Sequence, residues 1–132
     1  MSTPPRLGYV IVHVPDVAST VAFWERAFGL DTRMVHDAGD YAELETGATT
    51  LAFVGESFAA SHLDASPRPN RPDVPPAAIE VCLVMADVES AFRRAVGAGA
   101  TPTTEPAATP WGQTIAYVRD EDGILVELAS PM

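Results

Sequence analysis

The chain has 132 residues, of which 47% are apolar, and a formal net charge of −10. That size and apolar content suit one domain with a real core, and no apolar run reaches the roughly 18 residues of a membrane span. The acidic balance excludes a nucleic-acid partner, whose phosphates need Lys and Arg; it favours cationic ligands or serves solubility. All eight basic residues are Arg. The lack of Lys excludes Schiff-base chemistry and a phosphate loop ending in Gly-Lys. The single cysteine, Cys82, forms no internal disulfide, and the N-terminus carries no recognisable signal peptide. A cytoplasmic location is expected.

Leu7 to Val14 (LGYVIVHV) is mostly apolar and β-branched, which predicts a buried strand. Pro15 stops it and Asp16 caps a helix, along which Val17, Val21, Trp24 and Phe28 recur at helical spacing. Gly29 supplies the left-handed residue that ends the helix. Three short strands follow at about Thr32–His36, Tyr41–Glu45 and Thr50–Val54, with turns at Gly39-Asp40 and Gly47. Glu56 to Leu63 reads as a short helix or an ordered loop. Asp64 to Pro76 contains five prolines and is an extended connector.

The second half repeats the first. Ala78 to Met85 is a strand, Asp87 a cap, and VESAFRRAVGAG a helix ending at glycine. Strands follow at about Thr101–Thr104, Thr114–Arg119 and Ile124–Ala129, the last two joined by a tight turn over Asp120-Glu121-Asp122-Gly123. A shift of 71 residues lays Asp16 on Asp87, Tyr9 on Glu80 and His13 on Val84. Each half is strand–helix–strand–strand–strand, and neither buries both sheet faces alone. One domain over 1–132 is expected, with module one at about 7–63, the connector at 64–76 and module two at about 77–130.

These two strand–Asp–helix units, with the ending PWGQTIAYVRDEDGILVEL, resemble the vicinal oxygen chelate superfamily of glyoxalases, bleomycin-resistance proteins and extradiol dioxygenases. The ending is carried by Asp120, Asp122, Gly123, Glu127 and Leu128. The resemblance implies an α+β fold: two βαβββ modules forming a curled eight-stranded mixed sheet around a cup-shaped cavity. It also implies a homodimer. In metal-using relatives a divalent ion is held from the first and last strands of each half. Here those positions carry Tyr9, Glu80 and Glu127, with Leu51 or Ala52 at the fourth.

Strand alternation puts Tyr9, Ile11 and His13 on one face and Glu80, Cys82 and Val84 on the matching face of the second half. The valine and leucine faces belong under the helices. The expected site is therefore Glu127 and Glu80 as a facing pair, with Tyr9, His13, Trp111, Tyr117 and Cys82 lining a ligand. Two facing carboxylates do not ionise equally, so one serves as acid or base. The donor set is short of His, so no cofactor is expected. If a divalent ion (Mn, Mg, Ni, Zn or Fe) is held, Glu127 and Glu80 are its ligands. Trp24 and Phe28 read as core, and His36 and His62 as surface residues.

Three readings follow. The first is binding of a small organic molecule, cationic or aromatic, as bleomycin-resistance proteins do. The second is a glyoxalase-like lyase or isomerase using Glu127 and Glu80. An extradiol-type dioxygenase ranks third, since neither first-strand position is His.

Overall fold

The computed structural model describes residues 2–132. β1 (Tyr9–Val14) runs through Pro15 into α1 (Val17–Phe28). The Asp16 carboxylate accepts from the Ser19 amide at 3.2 Å, and Gly29 closes the helix at φ +71°. β2 (Thr32–Val35), β3 (Tyr41–Leu44), β4 (Thr50–Gly55) and the short α2 (Glu56–Ala60) complete the first module. The second contains β5 (Val81–Val84), α3 (Val88–Gly97), β6 (Thr101–Ala108), β7 (Thr114–Arg119) and β8 (Leu125–Ala129). Asp87 caps α3 as Asp16 caps α1, accepting from the Ser90 amide at 3.0 Å.

The strand orders are β1-β4-β3-β2 and β5-β8-β7-β6, the same arrangement twice. β1 lies parallel to β4 and β5 parallel to β8, while the other pairs are antiparallel. The fold is thus α+β, two βαβββ modules with mixed sheets. The eight strands divide into two four-stranded sheets, with β1 and β5 each at an edge.

Several strands differ from their sequence bounds: β1 starts at Tyr9 and not at Leu7. β5 starts at Val81 because pairing with β8 begins at Val81↔Val126, while the Ile79 amide turns back to the Ala77 carbonyl. β6 continues to Ala108 despite Pro102 and Pro106. It is an edge strand whose register shifts at two points, and there a residue without an N–H is tolerated.

One buried cluster joins both halves, running from Val14, Phe23 and Trp24 to Ala95, Val118 and Leu128. A polar latch adds direction to this packing. The β7–β8 turn docks on α1: the Trp24 indole N–H donates to Asp120 at 2.9 Å, and Ser19 Oγ donates to Glu121 at 2.8 Å. Thr20 Oγ1 donates to Asp122 beside them. The connector is also pinned. Arg71 meets Glu56 with two contacts of 2.7 and 2.8 Å, and Arg119 donates to the Arg71 and Val74 carbonyls at 3.1 and 2.7 Å. Among the described residues no helix is long and apolar enough to cross a membrane.

Candidate functional site

Register decides which side chains share a face. Cys82 pairs with Glu127, and Glu127 with Tyr117, so these three stand side by side across β5, β8 and β7. Glu80, two residues before Cys82, joins them on the face turned away from the helices. The opposite face carries Ala116, Val118, Val126 and Leu128, all buried in the core.

The cluster is electrostatically tight. The Tyr117 hydroxyl donates to Glu127 Oε1 at 3.3 Å. Burial and the charges of Glu127 and Glu80 push the Tyr117 phenol up to about 12, so it stays a donor. The Glu80 carboxyl is raised, first by burial and then by the Glu127 charge. Burial, followed by Glu127 and Glu80, also raises the Cys82 thiol. Two adjoining carboxyl groups, one with its pKa raised, beside a phenolic donor form an arrangement that accepts a cation or shuttles a proton.

The equivalent face of module one differs. Tyr9↔Thr50 and Ile11↔Ala52 pair in parallel, and Glu43 pairs with Ala52, so Ala52 occupies the place of Glu127 and Glu43 that of Tyr117. Alternation in Tyr41-Ala42-Glu43-Leu44 puts Glu43 on this face, a signal readable from sequence and not used. Arg33 is the extra residue of a bulge in β2, between Thr32 and Met34. The bulge re-aims its guanidinium across the sheet to Glu43 at 3.0 Å and Thr50 Oγ1 at 2.5 Å. The Tyr41 hydroxyl completes the set, donating to Glu43 at 2.8 Å. The Tyr41 hydroxyl bond first, and then Arg33, hold Glu43 below the usual carboxylate range.

The remaining candidates lie elsewhere. Tyr9 is exposed on the module-one face, within electrostatic reach of Arg33 and Tyr41. His13 lines a separate cavity of about 280 Å³ with Glu56, Leu63, Arg68 and Arg71. Trp111 stands in the β6–β7 turn, 59% exposed, its indole N–H on Gln113 Oε1 at 2.7 Å. The structure therefore groups Glu80, Cys82, Tyr117 and Glu127, while Tyr9 and His13 lie on module one and Trp111 in the β6–β7 turn. Trp24 is buried, His36 pairs with Asp40 in the β2–β3 turn, and the exposed His62 lies against the Phe58 ring.

A divalent metal is the group this fold implies in its enzymes. Among the described residues no three His, Cys, Asp or Glu side chains are grouped so as to hold one. Within this chain the fourth ligand position is Ala52 and the first is Tyr9, so the donors do not fit a closed metal site.

Two βαβββ modules with parallel β1–β4 and β5–β8 pairs define a protein of the vicinal oxygen chelate type. The model of the Glyoxalase/Bleomycin resistance protein/Dioxygenase superfamily matches residues 6–128, and the chain belongs to that family. No curated protein matches it significantly by sequence. Among solved structures it is similar to a glyoxalase-related enzyme from Fulvimarina pelagi, with TM-score 0.82 and 17% identity over 96% of this chain and 88% of that one. A glyoxalase/bleomycin resistance protein/dioxygenase from Nocardioides gives 0.76 and 16% over 98% and 85%. TioX from Micromonospora sp. ML1 gives 0.72 and 21% over 97% and 100%. At these identities the likeness carries the fold alone.

Proposed function

We propose that this protein binds a small cationic or aromatic organic molecule on the open face of module two, without a catalytic metal. The observation that carries the reading is the grouping of Glu80, Glu127, Tyr117 and Cys82 around one face. Two carboxyl groups supply charge, and Tyr117 supplies a flat apolar wall with a polar tip. The net charge of −10 draws cations toward the whole molecule. Sequestration of a toxic or drug-like compound fits such a site. A thermal-shift screen with planar aromatic cations tests it. Stabilisation is expected in the wild type and is lost in Glu80→Gln and Glu127→Gln. No stabilising compound, together with turnover of a substrate, rejects it.

A second reading rests on the Glu80–Glu127 pair itself. Glu127 removes a proton from a carbon next to a carbonyl while Glu80 gives one to the carbonyl oxygen; the resulting enediol is reprotonated at the second carbon by Glu127 as Glu80 takes back the other hydroxyl proton, which completes a glyoxalase-like isomerisation. Turnover of a 2-oxoaldehyde–thiol adduct that disappears in Glu127→Gln supports this alternative.

The reading includes a cytoplasmic homodimer. Tyr9, Ile11 and Val84 leave apolar surface 53%, 48% and 62% exposed on the open faces, which a second copy would cover. Light scattering of the purified chain is expected to give twice the monomer mass.

A further inference from the structure

A second cavity lies off the open face. It occupies about 350 Å³ and is lined from both modules, including residues of the edge strands β1 and β5. Its walls are Val10, Val12 and Leu51 from module one and Val81, Leu83 and Ile124 from module two. These side chains point to the helix side of their sheets, opposite to Tyr9 and Glu127. Yet Glu80 and Cys82 also line the cavity, because β5 is an edge strand and the space wraps around it. Glu80 is the only charged residue in the lining. The binding face and the apolar space thus meet at two shared residues.

We infer that the ligand is an amphiphile: a protonated amine held at Glu80, carrying an alkyl or aryl arm that threads past the β5 edge into the space between the modules. This rests on the proposed cation-binding role of Glu80 and Glu127, and it names the class of molecule. The volume falls within the range of small-ligand pockets, and about 150 Å³ already accommodates a benzene ring. The apolar lining rewards a hydrophobic arm. A carboxylate head is excluded by Glu80 and Glu127. A second chain pairing with the free β1 or β5 edge is the competing occupant. The apolar side chains on both walls favour a small molecule, since a strand would leave those side chains unmatched.

The test uses n-alkylamines from butyl to octyl, with octanoate as the reversed charge, titrated calorimetrically into the full chain. Affinity should rise about fourfold per added methylene until the cavity is full, and octanoate should not bind. Cys82, the sole cysteine, gives an independent readout: octylamine should slow its alkylation by a maleimide, and butylamine much less. Val10→Trp fills the cavity, and Ile79→Trp blocks its mouth at a position already 70% exposed, where folding is not at risk. Both should flatten the chain-length dependence and leave butylamine binding intact. Binding of butylamine with no gain for longer chains overturns this inference and leaves the cation site standing. Chain-length dependence that survives both variants also overturns it. If octylamine and octanol bind alike and butylamine does not bind, the cavity stands and the cation site falls.

Discussion

Asp120 is the residue whose environment is most costly. It is 2% exposed, and burial raises its carboxyl to about 6 although Trp24 and the amides of Asp122 and Ile124 all donate to it. The unfolded carboxyl titrates near ~3.9. Between these values the folded chain takes up a proton that the unfolded chain leaves off. The contribution of Asp120 to stability is therefore complete below the unfolded value and is lost as pH rises through about 6. Urea unfolding at pH 5 and pH 7 should show this loss in the wild type, and Asp120→Asn should flatten it. Trp24→Phe removes one of the donors and should cost about 1–3 kcal/mol. Glu43 and Glu56, held low by Tyr41 with Arg33 and by Arg71, act with the opposite sign: their contribution is lost on acidification below the ordinary glutamate range. Cys82 gives a second residue-scale check. Burial and the two glutamates raise its thiol, so iodoacetamide at pH 8 should label it more slowly than a free thiol, and Glu127→Gln should quicken the labelling.

At the scale of elements, much of the fold was legible because each signal was local. Asp16 and Asp87 cap the two helices that their positions announce, and the alternation in Tyr9–Val14 separates core from open face. What depends on pairing was hidden. The sequence left Leu51 and Ala52 as equal counterparts of Glu127, and only the β1–β4 register selects Ala52. Nothing in Thr32-Arg33-Met34 marks Arg33 as a bulge residue, so the Arg33–Glu43–Tyr41 set escaped notice. How Tyr9 and His13 stand to Glu80 and Glu127 depends on how the modules dock, which no single strand encodes. The connector and the β7–β8 turn meet at Gly123, whose φ is +91° and where an added Cβ would strike the Arg71 carbonyl. Gly123→Ala should destabilise by about 1–3 kcal/mol in urea, from strain at this backbone and the displaced connector.

For the whole molecule, one core and one polar latch join the modules, while their open faces carry different residues. The scaffold repeat persists in strand order, caps and helix packing. The chemistry does not repeat: module two keeps paired carboxyl groups, while module one carries the exposed Tyr9 and the buried Ala52 in the matching places. Such asymmetry suits a receptor for a cation better than a symmetric metal cage. The most direct test is calorimetric titration of proflavine, a planar aromatic cation, into protein dialysed against EDTA and into the same protein resupplied with Mn or Zn. The account predicts equal affinity in both, with a loss of about tenfold or more in the Glu80→Gln, Glu127→Gln double variant as charge-assisted contacts disappear. Binding that appears only after metal is restored, or that survives the double variant unchanged, would contradict it.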